Sequence, residues 1–157
     1  MNRDRSMGRL VALAFIAISV FFMAIGFNEI RLARASASWP SVTGQITYSK
    51  LDDPADNSRG INLGYAVEIE YIYNAEGRRF ESSRVFFGDG FVSSNRSFHQ
   101  KIVDKYYPGA TVEVFYKPNN ISESTLETGL TKNSFSKLFF GTLTLFGGIV
   151  AFVVSSN

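Results

Sequence analysis

Cysteine is absent from the 157 residues of the chain. The fold therefore contains no disulfide, and its chemistry has no thiolate nucleophile and no zinc–thiolate site. An excess of one charge is also lacking, because 16 basic residues face 14 acidic ones and the basic residues are scattered. Nucleic-acid-binding domains carry a clustered basic surface, so we expect no nucleic-acid partner.

Charge is missing altogether from two long apolar runs near the ends of the chain. Residues 10–27 read LVALAFIAISVFFMAIGF, and residues 138–154 read LFFGTLTLFGGIVAFVV. At a rise of about 1.5 Å per residue, each run covers most of a hydrocarbon core of about 30 Å. A domain this small could hardly bury two helices that are apolar all round. The runs therefore predict two transmembrane helices in contact with membrane lipids.

The first run has a competing interpretation as a cleaved signal peptide. Three arginines precede it, as in the positive segment of a signal peptide, and small residues at 33–37 offer cleavage sites. The apolar stretch is long, however, and the charged spacer before those sites fits cleavage poorly. We favour an uncleaved anchor.

Two spans place the tails, residues 1–9 and 155–157, on the same side of a membrane. The arginines in the first tail favour a cytoplasmic location, although four basic residues flank the spans on the opposite side. Because the first helix usually dominates orientation, we expect a bacterial inner-membrane protein with both termini cytoplasmic and an extracytoplasmic domain.

The second run contains Gly141, Gly147 and Gly148. Small residues let helices approach closely within a membrane, so these glycines offer a route to a homo-oligomer. Glycine is also common in spanning helices in general, which leaves the simpler interpretation open.

The region between the runs, residues 41–129 with linkers at 28–40 and 130–137, has the period-two pattern of strands. In YAVEIEYIY, residues 65–73, the odd positions are apolar or aromatic, whereas Glu68 and Glu70 fall on the other face. The following NAEG predicts a hairpin with a four-residue loop that places Phe80 opposite Tyr71. Further strands are predicted at 43–50, 110–116 and 122–127.

One short amphipathic helix is predicted between these strands, with Ser94 or Asn95 as its N-cap. Its sheet-facing side is expected to carry apolar residues at helical spacing, and Pro108 and Gly109 to end it. We expect the single histidine, His99, to be partly exposed there. The apolar positions are Phe98, Ile102, Val103 and Tyr106.

Three segments, in order, resemble the DUF3592 family, a family of unknown function. They are WPSVTGQITYS, YIYNAEGRRFES and YYPGATVEVFYKPNNISESTLETG, although Lys117 and Asn120 depart from the family pattern. The resemblance implies a membrane anchor followed by a small β domain, often with a second span. It supplies no catalytic residues. The expected fold is therefore an α+β membrane protein, with two transmembrane helices flanking a mainly antiparallel β domain that carries one short helix.

Aromatic residues are the candidate contact sites. Phe86, Phe87 and Phe91 surround the glycine-rich FGDGF, where apolar rings can mark a partner or lipid contact, although burial in the core is the more common outcome. Trp39 fits either the core or the membrane interface, where amphipathic rings settle.

These features favour a non-catalytic function without metal or cofactor. We expect the β domain to bind or scaffold another membrane or envelope protein, as an accessory subunit or as an immunity-type protein. The edge of the terminal strand could accept a partner strand. The alternative is a membrane-associated enzyme acting on lipid or cell-wall material. It would use groups among Glu68, Glu70, Glu81 and His99, provided that they converge in one pocket.

Overall fold

The computed structural model describes the backbone of residues 2–53, 64–90 and 92–156, and the side chains of these from residue 7 to residue 155. The chain forms two compact units, residues 1–32 with 131–157 and residues 33–130. The predicted order of helix, antiparallel β domain and helix is confirmed. The elements are α1 (Asn2–Ser36), β1 (Ser41–Asp52), β2 (Ala66–Ala75), β3 (Arg78–Ser82), α2 (Arg96–Lys105), β4 (Thr111–Lys117), β5 (Asn120–Thr125), a 3₁₀ helix (Lys132–Phe135) and α3 (Ser136–Ser156).

Two helical stretches, Met7–Ser36 and Lys132–Ser155, are long and apolar enough to cross a membrane. Only 17% and 11% of their most apolar windows are buried, unlike the core helix of a soluble protein. The predicted linker at 28–40 is helical as far as Ser36, because residues such as Leu32 and Ala35 favour a helix.

Small residues bring α1 and α3 close together. On α1, Ala12, Ser19 and Gly26 recur every seven residues and are buried. On α3, Gly141 and Gly148 have the same spacing. The seven-residue repeat keeps each set on one helix face, and two small faces allow a close approach.

The contacts show how tight this approach is. A Cβ added at Gly141 would lie 2.7 Å from Met23 Cγ, whereas one added at Gly147 would meet nothing within 4 Å. Ser19 Oγ also lies 2.9 Å from Thr144 Oγ1. Gly141 is thus occupied by a contact within the chain, and the homo-oligomer through this helix stays a prediction.

The second unit is built on one five-stranded antiparallel sheet in the order β3-β2-β1-β4-β5. On β2, Ile69, Tyr71 and Tyr73 are buried, and Glu68 and Glu70 are exposed. The alternation predicted for this strand is therefore confirmed, and its buried face forms part of the core.

The hairpin between β2 and β3 differs from the predicted one. Tyr73 pairs with Phe80, and Tyr71 with Ser82, so the register is shifted by two residues and the predicted four-residue loop is wrong. Two residues form the turn, Glu76 with φ of 49° and Gly77 with φ of 72°. A turn with two positive φ angles matches the twist of the flanking strands, which favours the shorter connection.

Tyrosine hydroxyls and backbone bonds draw the two ends of the sheet together. Tyr71 donates to the carbonyl of Arg84 at 2.9 Å, and Tyr73 donates to the carbonyl of Ile121 at 2.6 Å. Burial raises the pKa of both phenols, so they remain protonated donors. Beyond the strands, the Glu127 amide donates to the carbonyl of Val85 at 2.7 Å. The sheet is consequently curled, with the segment after β3 joined to the segment after β5.

Helix α2 begins as predicted, since the side chain of Asn95 accepts from the Phe98 amide at 3.1 Å. Two of the predicted apolar positions face the core, since Tyr106 is buried and Ile102 packs against the core cluster. Phe98 is 37% exposed instead, and His99, at 2%, is buried. Near its end, Tyr106 donates to Glu127 at 2.9 Å, and burial raises the pKa of Tyr106 to about 12.

Candidate binding groove

A groove of about 880 Å³ opens where β3 ends. Strand β3 covers β2 only from Tyr71 onward. Within the part of the chain that the structure describes, the first half of β2 has no strand beside it on that side. The groove runs along this uncovered edge. Its walls come from the first half of β2, the end of β3 and the segment after it, one face of α2, and β5. The lining residues of the strands and of that segment are 67–70, 82–86, 89–90, 120 and 122–124.

The uncovered edge presents backbone hydrogen-bonding groups to the groove. Ala75 and Arg78 flank a two-residue turn, so the odd residues of β2 direct their N–H and C=O groups toward β3. Tyr65, also odd, exchanges both of its bonds with Ser93, at 2.8 and 3.1 Å. Val67 and Ile69 lie between these bonded positions. No backbone group in residues 2–53, 64–90 or 92–156 bonds to them on this side.

The walls of the groove carry more negative than positive charge. Four carboxylates line it, against one guanidinium, that of Arg84; the carboxylates belong to Glu68, Glu70, Asp89 and Glu123. Two of the four have partners, since Glu123 accepts from Lys117 at 2.7 Å and lies 3.7 Å from Arg84, and Asp89 accepts from the Val85 amide at 2.6 Å. Glu68 and Glu70 form no ion pair with any residue that the structure describes.

Arg84 holds the wall opposite β2 in place. Its guanidinium lies 4.8 Å from the centre of the Phe87 ring, in addition to its pairing with Glu123. A cation over an aromatic face gains electrostatic attraction from the ring. The residue therefore links the irregular segment at 82–90 to β5.

His99 reaches the groove from α2 and is 2% exposed, so the expectation of a partly exposed histidine is wrong. Its Nε2 lies 2.9 Å from Ser93 Oγ, which also accepts from the Asn95 amide at 3.3 Å. Burial lowers the pKa of His99, because desolvation disfavours the charged imidazolium. The ring is thus neutral near pH 7 and tied to the turn that precedes α2.

Of the four residues named for an enzymatic function, three line the groove and one does not. Glu68, Glu70 and His99 meet there. Glu81 instead pairs with Arg79 at 3.7 Å, and both side chains are largely exposed. The convergence that the enzyme alternative requires is therefore only partial.

Of the aromatic candidates, Phe86 lines the groove. Phe86 and Phe87 are 6% and 1% exposed, which agrees with the core interpretation and argues against an exposed contact. Phe91 lies outside the described residues. Trp39 is 8% exposed and meets Phe87 edge-on, with the ring centres 5.8 Å apart; its position at a membrane interface stays a prediction.

Arg84, Asp89 and Glu123 were not identified from the sequence. Asp89 had a usable signal, because an aspartate between two glycines is typical of a turn in which the side chain accepts a backbone N–H. Arg84 and Glu123 had no such signal in the sequence, since their contact with each other depends on the curl of the sheet.

A family model described as "Domain of unknown function (DUF3592)" matches residues 42–131, more than half of the chain, and confirms the predicted resemblance. Comparisons with curated proteins and with solved structures gave no match.

Proposed function

The chain belongs to the DUF3592 family, and we propose that it is a non-catalytic, membrane-anchored binding protein. In this proposal, the β domain recognises a segment of another membrane or envelope protein in the groove beside β2. The accessory-subunit and immunity-type roles both use such a contact.

The observation that carries the proposal is the edge of β2 at Val67 and Ile69, which no described backbone group pairs on the side of the groove of about 880 Å³. Backbone groups that are neither paired nor fully solvated are costly in a folded protein. An extended segment of another protein supplies matching groups, which is the basis of recognition by strand addition. A cavity of this size holds several side chains.

The two apolar helices support a membrane anchor. Helix faces this exposed and apolar are unstable in water and stable in lipid. We place both termini in the cytoplasm and the β domain outside the inner membrane, following the arginines before α1.

The sequence favoured the edge of the last strand as the contact site, whereas the proposal now names the edge of β2. Beyond β5, the amides of Leu126 and Glu127 donate to the carbonyls of Arg84 and Val85 at 3.3 and 2.7 Å. These bonds occupy the end of the edge that the sequence favoured, whereas the edge at Val67 and Ile69 stays open to the groove.

The test is affinity purification of the tagged full-length protein from its native membrane in a mild detergent, followed by mass spectrometry. We compare Glu68→Lys/Glu70→Lys, which reverses the charge of the groove, with Glu81→Lys, a matched exposed position outside it. A stoichiometric partner that is retained by the control and lost by the groove variant supports the proposal. A partner retained by both variants, or no partner at all, overturns it.

One observation favours the alternative of an enzyme, namely the distance of 2.9 Å between Ser93 Oγ and His99 Nε2. A serine next to a histidine base is the arrangement of an activated nucleophile. The same hydroxyl, however, accepts from the Asn95 amide and so has a structural role in the turn. Labelling with a fluorophosphonate probe decides between these roles. Labelling that disappears in Ser93→Ala would favour the enzyme, and we expect none.

A further inference from the structure

We propose that the groove takes an extended peptide segment in which lysine or arginine alternates with other residues, and that this segment adds to β2 through Val67 and Ile69. The inference rests on the proposed function and names the chemistry of the partner. Two independent features carry it, the backbone pattern of the open edge and the charge of the groove.

The backbone pattern sets the register of the segment. Val67 and Ile69 offer two N–H and two C=O groups at a two-residue spacing, between the bonded positions Tyr65 and Tyr71. In antiparallel pairing, such positions exchange bonds with residues two apart on the added strand. Ile69 is 2% exposed and Val67 is half-buried, so Val67 is the more accessible of the two.

The register in turn separates two sets of side chains on the added strand. Residues opposite Val67 and Ile69 face the same side of the sheet as those two residues, whereas the residues between them share the side of Glu68 and Glu70. Opposite charges directly across a strand pair are stabilising. The positions opposite these glutamates are therefore the ones at which we expect lysine or arginine.

Glu70 is the stronger determinant of the two. On β1, Lys50 is the cross-strand neighbour of Glu68, whereas Glu70 faces Tyr48. Glu68 consequently has a basic neighbour in its own sheet, and Glu70 has none in that register.

The same charges disfavour a second copy of this chain as the occupant. Two copies paired through their β2 edges would place the glutamates of one copy beside those of the other. Like charges across a strand pair are destabilising. A basic segment therefore fits this edge better than the β2 edge of a second copy does.

Peptide binding to the full-length protein in detergent micelles tests the inference, with fluorescence anisotropy as the measurement. Three labelled seven-residue probes are compared. In the first, lysine alternates with threonine; in the second, glutamate replaces lysine; the third is the lysine probe with every threonine amide N-methylated. We expect saturable binding of the first, no binding of the second and at least about tenfold weaker binding of the third, because it lacks the donors for Val67 and Ile69.

Two substitutions in the protein test the same two contributions to binding, the backbone hydrogen bonds and the charge. Val67→Pro removes the groove-facing N–H and leaves the bonds to β1, which come from the even residues, and proline is tolerated at such edge positions. We expect at least about tenfold weaker binding of the lysine probe to Val67→Pro, about fivefold weaker binding to Glu70→Gln and no change for Glu81→Gln.

Equal binding of the lysine probe and its N-methylated form would overturn the inference. Failure of the unmethylated lysine probe to bind would also overturn it. If circular dichroism shows that Val67→Pro is not folded, the N-methylated probe and Glu70→Gln still test whether the peptide adds to β2. A partner protein that is lost by Glu68→Lys/Glu70→Lys, together with equal binding of the two lysine probes, would refute strand addition while the proposed function stands.

Discussion

The helical unit and the β domain differ in the side chains that pack inside each of them, which are small in the first and large in the second. Between α1 and α3, glycine, alanine and serine bring the backbones together, as at Gly26 and Gly141. Within the sheet, large rings such as Tyr71 and Tyr73 fill the core, and their hydroxyls reach backbone carbonyls. A helix satisfies its own backbone and needs only close contact, whereas a curled sheet leaves space that side chains must fill.

The comparison also indicates where recognition groups can lie. All interior backbone groups of α1 and α3 are bonded within their own helix. A sheet bonds its backbone groups only where a neighbouring strand is present. The shortness of β3 therefore leaves donors and acceptors at Val67 and Ile69, and the groove belongs to the β domain for that reason.

The largest effect is expected from breaking the aromatic core alone. Tyr71 is 0% exposed, so Tyr71→Ala should lower the free energy of unfolding of the β domain by about 3–5 kcal/mol. Tyr71→Phe should cost about 1–3 kcal/mol, since it leaves buried acceptors without their donor. Urea unfolding followed by the fluorescence of Trp39, the single tryptophan, measures both. A Tyr71→Ala variant that unfolds at the same urea concentration as the unmodified protein would contradict the role of Tyr71 in the core.

The contact between the helices is tested next, by Gly141→Val. A side chain there meets Met23 and the carbonyl of Ser19, at 2.7 and 3.2 Å from the added Cβ. We therefore expect the packing of α1 against α3 to be destabilised by about 1–3 kcal/mol. Because the chain has no cysteine, disulfide formation between Ser19→Cys and Thr144→Cys reports the helix contact without background. Gly147→Val is the matched control, and an equal loss of cross-linking in both variants would refute the assignment of the packing face.

Backbone strain in the β domain gives a smaller effect. Gly109 has φ of 88° and nothing within 4 Å of an added Cβ, so Gly109→Val should cost about 1–2 kcal/mol through its conformation alone. Pro108→Ala, at an exposed neighbouring position, should change stability by less than about 0.5 kcal/mol. The tryptophan fluorescence assay ranks the two, and comparable effects would argue against strain at Gly109.

The smallest effect is a pH dependence from His99. Its pKa is lower in the folded protein than the ordinary 6.5, so the unfolded chain binds more protons between the two values and stability falls as the pH drops below about 6.5. His99→Gln should flatten this part of the stability profile. If the variant keeps the full slope between pH 6.5 and 5, other groups cause it.

Local patterns were enough to predict most elements of this fold, although the end of α1 at Ser36 and the 3₁₀ helix at Lys132–Phe135 fall in predicted linkers. The charge-free runs predicted α1 and α3, the alternation around Ile69 predicted β2, and Asn95 predicted the start of α2, because each pattern reflects a backbone geometry set by neighbouring residues. Gly77 likewise marked the turn after β2. The turn length was wrong, since the same glycine fits loops of two and of four residues.

The sequence by itself determined two apolar helices around an antiparallel domain of the DUF3592 family, because hydropathy and strand alternation are properties of contiguous residues. Only the tertiary structure decided which side chains meet. Glu70, Arg84 and His99 come from β2, the segment after β3 and α2, and no periodicity links positions on separate elements. Their convergence depends on where β3 stops and how far the sheet curls, and both result from packing across the whole domain.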